Sequence, residues 1–273
     1  MAQRLEPTEA REVARHGGRR DGAGRKPAAG RKRHEHRARP FHHARLPVHV
    51  VLRVTGAVGR LRRRRAYQAV RAAMIKTIAR TDFRIVHLSI RGSQIQLLCE
   101  ADDRIALANG VRGLCVSAAR RLNLAISLER GVKRRGRVFT DRYHATTIAH
   151  PRQARNALAF VLNNWQQHRD GDRGAASRRV AARRDLVRRA QVDPYSTAVW
   201  FSGWIERGGA PLRWPRDYEP LPSMTPRTWL LAQGWKQAAP APRLWELPGS
   251  WRRRTKPGIL DACASRWRRS RSH

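Results

Sequence analysis

The spacing of apolar positions changes period along the chain, and each change marks an element. Residues 47–54 (Pro47-Val48-His49-Val50-Val51-Leu52-Arg53-Val54) form a nearly unbroken β-type run and predict a strand. Residues 56–65 read as a loop that ends in Arg62-Arg63-Arg64-Arg65. From Ala66 to Ala79, Val70, Met74 and Ile78 recur every four residues, the spacing of one helix face. Phe83 to Glu100 holds two β-type runs joined by a tight Arg-Gly-Ser turn, which predicts a hairpin. Asp102 or Asp103 is placed to cap a helix running through Leu128, with Ile105, Leu107, Val111, Leu114 and Ala118 on its inner face. Gly131 to Gly136 is a basic turn. Residues 137–139 and 143–148 suggest a short strand pair, and Pro151, suited to a first helical turn, opens a helix through about His168.

The order is therefore β-α-β-β-α-β-α. Its first six elements match the ferredoxin-like split βαβ pattern, an α+β fold with an antiparallel sheet backed by helices. Residues 46–168 are long enough to bury a core of their own. Residues 1–45 hold almost no large apolar residues and read as a disordered basic arm, in which His34, His36, His42 and His43 are expected to be solvated. Residues 169–190 read as a basic linker. All of the nine tryptophans except Trp165 lie beyond it (Trp200, Trp204, Trp214, Trp229, Trp235, Trp245, Trp251 and Trp267), so residues 191–250 read as an irregular Trp/Pro-rich extension anchored on the core. Residues 251–273 form a basic tail.

Charge narrows the partners. The 273 residues carry 58 Lys and Arg against 20 Asp and Glu, a formal net charge of +38. Such an excess calls for a polyanion, and nucleic acid fits best, because Arg forks match phosphate oxygens. A membrane surface lacks support, since there is no basic amphipathic anchor and no long apolar span. The absence of an apolar signal segment predicts a cytoplasmic, nucleoid-associated protein. Cys99, Cys115 and Cys263 are too scattered for a disulfide framework or a zinc site, and the first two are expected to be packed thiols.

Candidate chemistry begins at the hairpin. Gln94 and Gln96 are two apart on a strand, so both amides share one face. An enzyme that needs two metal ligands side by side places His-hydrophobe-His at such a point. The segment Gly92-Ser93-Gln94-Ile95-Gln96 resembles the Gly-Asn-His-hydrophobe-His strand of the single-tyrosine HUH transposases, in particular the REP-associated tyrosine transposases. That resemblance implies a metal-dependent DNA strand transferase. Two histidines and a helix residue would hold Mg²⁺ or Mn²⁺, and a tyrosine on the last helix would attack phosphorus. The tyrosine belongs in a Tyr-Ile/Val-x-x-Asn segment. The matching stretch here is Phe160-Val161-Leu162-Asn163-Asn164, with Phe160 in the nucleophile's place and Asn164 one helical turn on.

Both ligand positions and the nucleophile are thus substituted. A neutral glutamine amide holds a divalent cation weakly, and Phe has no hydroxyl. No bound metal cofactor is expected, and the chain reads as a transposase-like DNA-binding protein without the family's nicking activity. Tyr143 is the best substitute nucleophile and gives the alternative, an active strand transferase with a displaced tyrosine. A basic RNA-binding protein is the third reading. Tyr67 is expected in the core. His87 and His144 lack a metal-spaced partner, and His87 is expected to face away from the glutamine pair. Candidate DNA contacts are Arg62, Arg63, Arg64, Arg65, Lys133, Arg134, Arg135 and Arg137, with Arg142, Tyr143 and His144 interleaving charge and rings. The expected partner is single-stranded or hairpin DNA, and a homodimer is a further expectation from the resemblance.

Overall fold

The computed structural model describes residues 42–140, 142–163, 192–208, 218–238, 240–244 and 246. Strands β1 (Val48–Arg53), β2 (Phe83–Ile90), β3 (Gln94–Ala101) and β4 (His144–Thr147) form one sheet in the order β2-β3-β1-β4. Every neighbouring pair is antiparallel. With helices α1 (Arg64–Ile78) and α2 (Arg104–Arg130) in the crossovers, this is the ferredoxin-like arrangement. The strand sequences are apolar at both parities rather than at alternate positions. That is the mark of a sheet covered on both sides, and β1, β2 and β3 are each buried at all but one residue.

One face is covered by the helix pair. Val48, Val50 and Leu52 of β1 join Ile95, Leu97 and Cys99 of β3 and Leu88 and Ile90 of β2 against Val70 and Met74 of α1 and Leu107, Val111, Leu114 and Ala118 of α2. Asp103 caps α2 by accepting from Ala106 N at 2.7 Å, and Gly131 ends it in the left-handed region at φ 67°. Gly110 is required where α2 crosses Phe83, because a Cβ there would fall 2.1 Å from the ring. Two expectations change. Ile105 is 64% exposed, because Arg104 already starts the helix and the inward stripe runs from Leu107 to Ile126 instead. Residues 137–139 do not pair with 143–148. Phe139 bridges Val54 while β4 pairs with Val48–Val51, so both segments satisfy the same free edge of β1. A strand edge offers donors and acceptors along its whole length, and two short segments share it here.

The second face is covered by α3 (Pro151–Asn163) and by the residues beyond 191. Val86 and Leu98 of the sheet pack with Ala154, Leu158, Val161 and Leu162 of α3 and with Phe201, Trp204, Leu230, Leu231 and Trp235. Trp200 and Trp229 stay more than half exposed. Trp165, Trp214, Trp245, Trp251 and Trp267 lie outside the described residues. The same segments cover the outer edge of β2. Ile90 N donates to Tyr195 O at 2.8 Å, Ser223 Oγ to Val86 O at 2.7 Å and Met224 N to Ile85 O at 3.2 Å. An open edge strand would invite pairing with another chain, and this edge is occupied.

Two buried carboxylates fasten this cover. Glu100, 4% exposed, accepts from Arg227 N at 2.8 Å, Thr228 N at 2.9 Å and Thr228 Oγ1 at 2.7 Å. Asp193, 1% exposed, accepts both terminal nitrogens of Arg62 at 2.7 and 2.8 Å. His42 is also buried, its Nε2 within 2.9 Å of Ala101 O, so the end of the basic arm docks and this histidine is not solvated. Removing Glu100 strands the buried Thr228 amide and hydroxyl and the half-buried Arg227 amide. Glu100→Ala is expected to destabilise the fold by about 3 kcal/mol. Urea denaturation reads the loss, and hydrogen exchange should rise first at residues 224–232.

Candidate functional site

The register fixes which side chains share the α3 side of the sheet. Directly opposed residues point the same way, so Arg53 and Gln94 form one row, Ser89, Gln96, Val51 and His144 a second, and His87, Leu98, His49 and Thr146 a third. Gln94 and Gln96 therefore do share one face of a central strand. Gln94 stands at the half-exposed end, and Gln96 is 2% exposed. Phe160 projects from α3 onto this face and meets the His49 ring edge-on, with centroids 5.8 Å apart. His49 lies opposite Leu98, the next same-face neighbour of Gln96, so it is diagonal to Gln96 at roughly 7–8 Å. Phe160, His49 and the glutamine pair are thus gathered on one surface. Asn164 lies outside the described residues, and the neighbouring Asn163 is buried with its amide donating to Arg243 O at 2.7 Å.

His49 is a member of this group that sequence reasoning misses. The only signal for it is a lone histidine inside an apolar strand run. His87 corrects an expectation, because it faces the glutamine side and not away from it. The cause is the hairpin register: Ser89 opposes Gln96, and His87, two residues before Ser89, shares its face, while the β-bulge between Ile85 and His87 turns only Ile85 and Phe83 to the helix-pair side. Two polar groups in the row around Gln96 are buried. Ser89 is fully buried, and among the described residues neither its Oγ nor Gln96 Oε1 has a hydrogen-bond partner.

The donor set does not fit a divalent cation. Two neutral amides supply no charge. Among the described residues no three His, Cys, Asp or Glu gather at a metal-binding distance. Neither Tyr143 nor Tyr67 stands on the glutamine face. Tyr143 precedes His144 on the strand and packs with the α1/α2 core, on the opposite side of the sheet from the glutamines. Tyr67 is buried, donates to Glu219 O at 2.7 Å, and is held well above the usual phenol range by burial. Burial likewise pushes the Cys115 thiol up to about 12 and Cys99 well above its ordinary value, so both are unreactive packing groups.

The basic candidates divide by what they touch. Arg62 is committed to the fold: besides Asp193 it donates to Ile90 O at 3.1 Å and lies 4.3 Å over the Tyr195 ring. Beside it, Arg91 is 5% exposed, and burial followed by the neighbouring Arg62 charge lowers its pKa to about 10, against the pull of Asp193. Arg63 pairs with Glu129 at 2.9 Å. Arg134 shapes its loop through Asn123 and the Arg137 carbonyl. Arg64, Arg65, Lys133, Arg135, Arg137, Arg142 and His144 are exposed. The loops that carry them meet at the Gln94 end of the sheet, where Val54 N donates to Ser93 O, Thr55 N to Val138 O and Leu61 N to Gly92 O.

No protein-family model matches the chain, and no curated protein matches it. Among solved structures, a REP-associated tyrosine transposase bound to a REP hairpin resembles it at 17% identity and TM-score 0.36, over 67% of this chain and 92% of that one. A candidate transposase of Deinococcus radiodurans R1 does so at 16% identity and TM-score 0.31, over 53% of this chain and 100% of that one. Both likenesses are distant. Among the described residues no helix is long and apolar enough to cross a membrane.

His87 makes the face sensitive to acid. Its ring is enclosed, with Nδ1 3.1 Å from Thr197 Oγ1 and its edge against Phe201, and burial lowers its pKa from 6.5 to about 4. Between those values the unfolded chain binds a proton and the folded chain does not. Stability is therefore complete above about pH 6.5 and falls as the pH drops towards 4, by on the order of 3 kcal/mol in all. Denaturation midpoints across this range should show the decline. His87→Gln should flatten it.

Proposed function

We propose that this is a transposase-like DNA-binding protein whose sheet presents a chemically silent version of a strand-transfer site. The observation that carries the reading is the pair Gln94 and Gln96, side by side on a central strand of a ferredoxin-like sheet, with Phe160 from α3 over the same face. In the resembling transposases those places belong to two metal-binding histidines and the attacking tyrosine. Here the amides are neutral, and the ring has no hydroxyl to attack phosphorus. The remaining function is to hold DNA through the exposed cations around the Gln94 end, with Arg side chains on phosphates and Tyr143 and His144 near unpaired bases.

The chain should bind single-stranded or hairpin DNA with a steep salt dependence, because each neutralised phosphate releases a counterion. Replacing Arg65, Lys133, Arg135 and Arg137 by Ala should weaken binding. It should also flatten the slope of log K against log salt by roughly 0.9 for each phosphate that is no longer neutralised. Arg62 is excluded from this set, since its removal perturbs folding. Salt-insensitive binding would count against the reading.

With Mg²⁺ or Mn²⁺ and a hairpin substrate, the unmodified chain should give no nick and no covalent protein–DNA adduct. Gln94→His, Gln96→His or Phe160→Tyr alone should leave it silent, because ligands and nucleophile act as a unit. All three together are the smallest change that restores both. A metal-dependent adduct from the unmodified chain that disappears in Tyr143→Phe would replace this reading with an active, displaced-tyrosine transferase.

A further inference from the structure

We propose a second nucleic-acid contact at the opposite end of the sheet, where one unpaired base stacks on Trp229 and its flanking phosphates meet Arg45 and Arg227. The inference extends the nucleic-acid reading above but uses none of the same residues. Gln94 and Ala101 bound β3, so this end lies about 23 Å from the glutamine end. A cleft of about 270 Å³ opens here between residues 44–45, 81–82, 84, 100–102 and 227–229.

The tryptophan is mounted as a platform. The six-membered ring of its indole sits against Gly234, where a Cβ would fall 2.7 Å from the ring, so the glycine is what allows the contact. Gly234 is buried, yet Trp229 remains 52% exposed. Part of the ring is thus supported by backbone and about half of the residue is open. An indole that only filled a core would be covered on both faces, as Trp204 and Trp235 are. A nucleobase is a flat ring that fits an open aromatic face whatever its sequence.

The charges in the cleft favour a phosphate chain beside that ring. Glu100 is consumed by its three donors from Arg227 and Thr228, with Arg84 at 3.9 Å. Asp82 is held by Arg80 at 2.6 Å. Asp102 is exposed and is the one remaining acid of the lining. Arg45 and Arg227 are exposed, and neither guanidinium forms an ion pair among the described residues. Two guanidinium groups without an ion pair among the described residues and one half-exposed indole are the parts of a single-strand grip.

The test uses the full chain and a short single strand carrying 5-iodouracil, in a deoxyribose and a ribose version. Irradiation should crosslink the strand to the peptide holding Trp229, and the version with the higher yield identifies DNA or RNA as the source. Trp229→Ala should lower single-strand affinity about tenfold, and Trp229→Phe by less, since a smaller ring still stacks. Fully paired duplex of the same sequence should be insensitive to both changes. Arg45→Ala with Arg227→Ala should flatten the salt slope while leaving the crosslink site unchanged. The crosslink on the unmodified chain does not depend on any variant folding. Crosslinks confined to the Gln94 end, with Trp229→Ala binding as the parent does, would overturn this contact and leave the first reading standing. No binding of any oligonucleotide at low salt would overturn both.

Discussion

Glu100 ends β3 with its carboxylate enclosed by the backbone of Arg227 and Thr228, and Asp193 closes on the guanidinium of Arg62 at the other end of the same cover. Each is an acid in a chain where cations outnumber acids 58 to 20. A buried carboxylate is tolerable only with its lone pairs engaged, and here backbone amides and an Arg fork engage them. What they hold is the second layer. Without it the apolar side chains of Val86 and Leu98 and the outer edge of β2 would face water. The sheet needs covering on both sides, and the helix pair supplies only one.

The same layer encloses the surface where chemistry would reside. His87, Ser89, His49 and Gln96 lie on a face that in a purely structural sheet would carry aliphatic residues. His87 answers enclosure by staying neutral, and Phe160 answers it by packing against His49. On this face the glutamine amides carry no charge and the His87 ring is neutral.

The distribution of arginine shows how one residue type takes two roles. Arg62 and Arg65 are three positions apart in one run, yet the first is a fold-stabilising partner of Asp193 and the second is exposed. Arg91 and Arg134 likewise serve local structure, whereas Lys133 and Arg135 point outward. Arg45 and Arg227, far apart in sequence, line one cleft with Trp229. A basic run in the sequence is therefore not one surface patch.

Periodicity alone determined the elements, the ferredoxin-like order, the capping by one of two aspartates, and the shared face of Gln94 and Gln96. These depend on neighbours within a few residues, whose geometry is set by the 3.6 and 2.0 repeats of helix and strand. Periodicity placed Phe160 on a helix, and the resemblance to the transposase segment singled it out. Tertiary structure decided the rest. A single extra residue at Val86 let Phe83 and Ile85 face the helix pair while His87, in unbroken register from the turn, faced the glutamine side, because a bulge reverses the parity between its two flanks. The free edge of β1 drew residues 139 and 144–147 separately, against the expectation of a local pair. Arg62 was taken out of the basic patch by an aspartate 131 positions later. His49 joined the site only when α3 laid Phe160 across it. Each of these outcomes is a choice among distant partners made by burial and hydrogen-bond satisfaction, and no local repeat encodes such a choice.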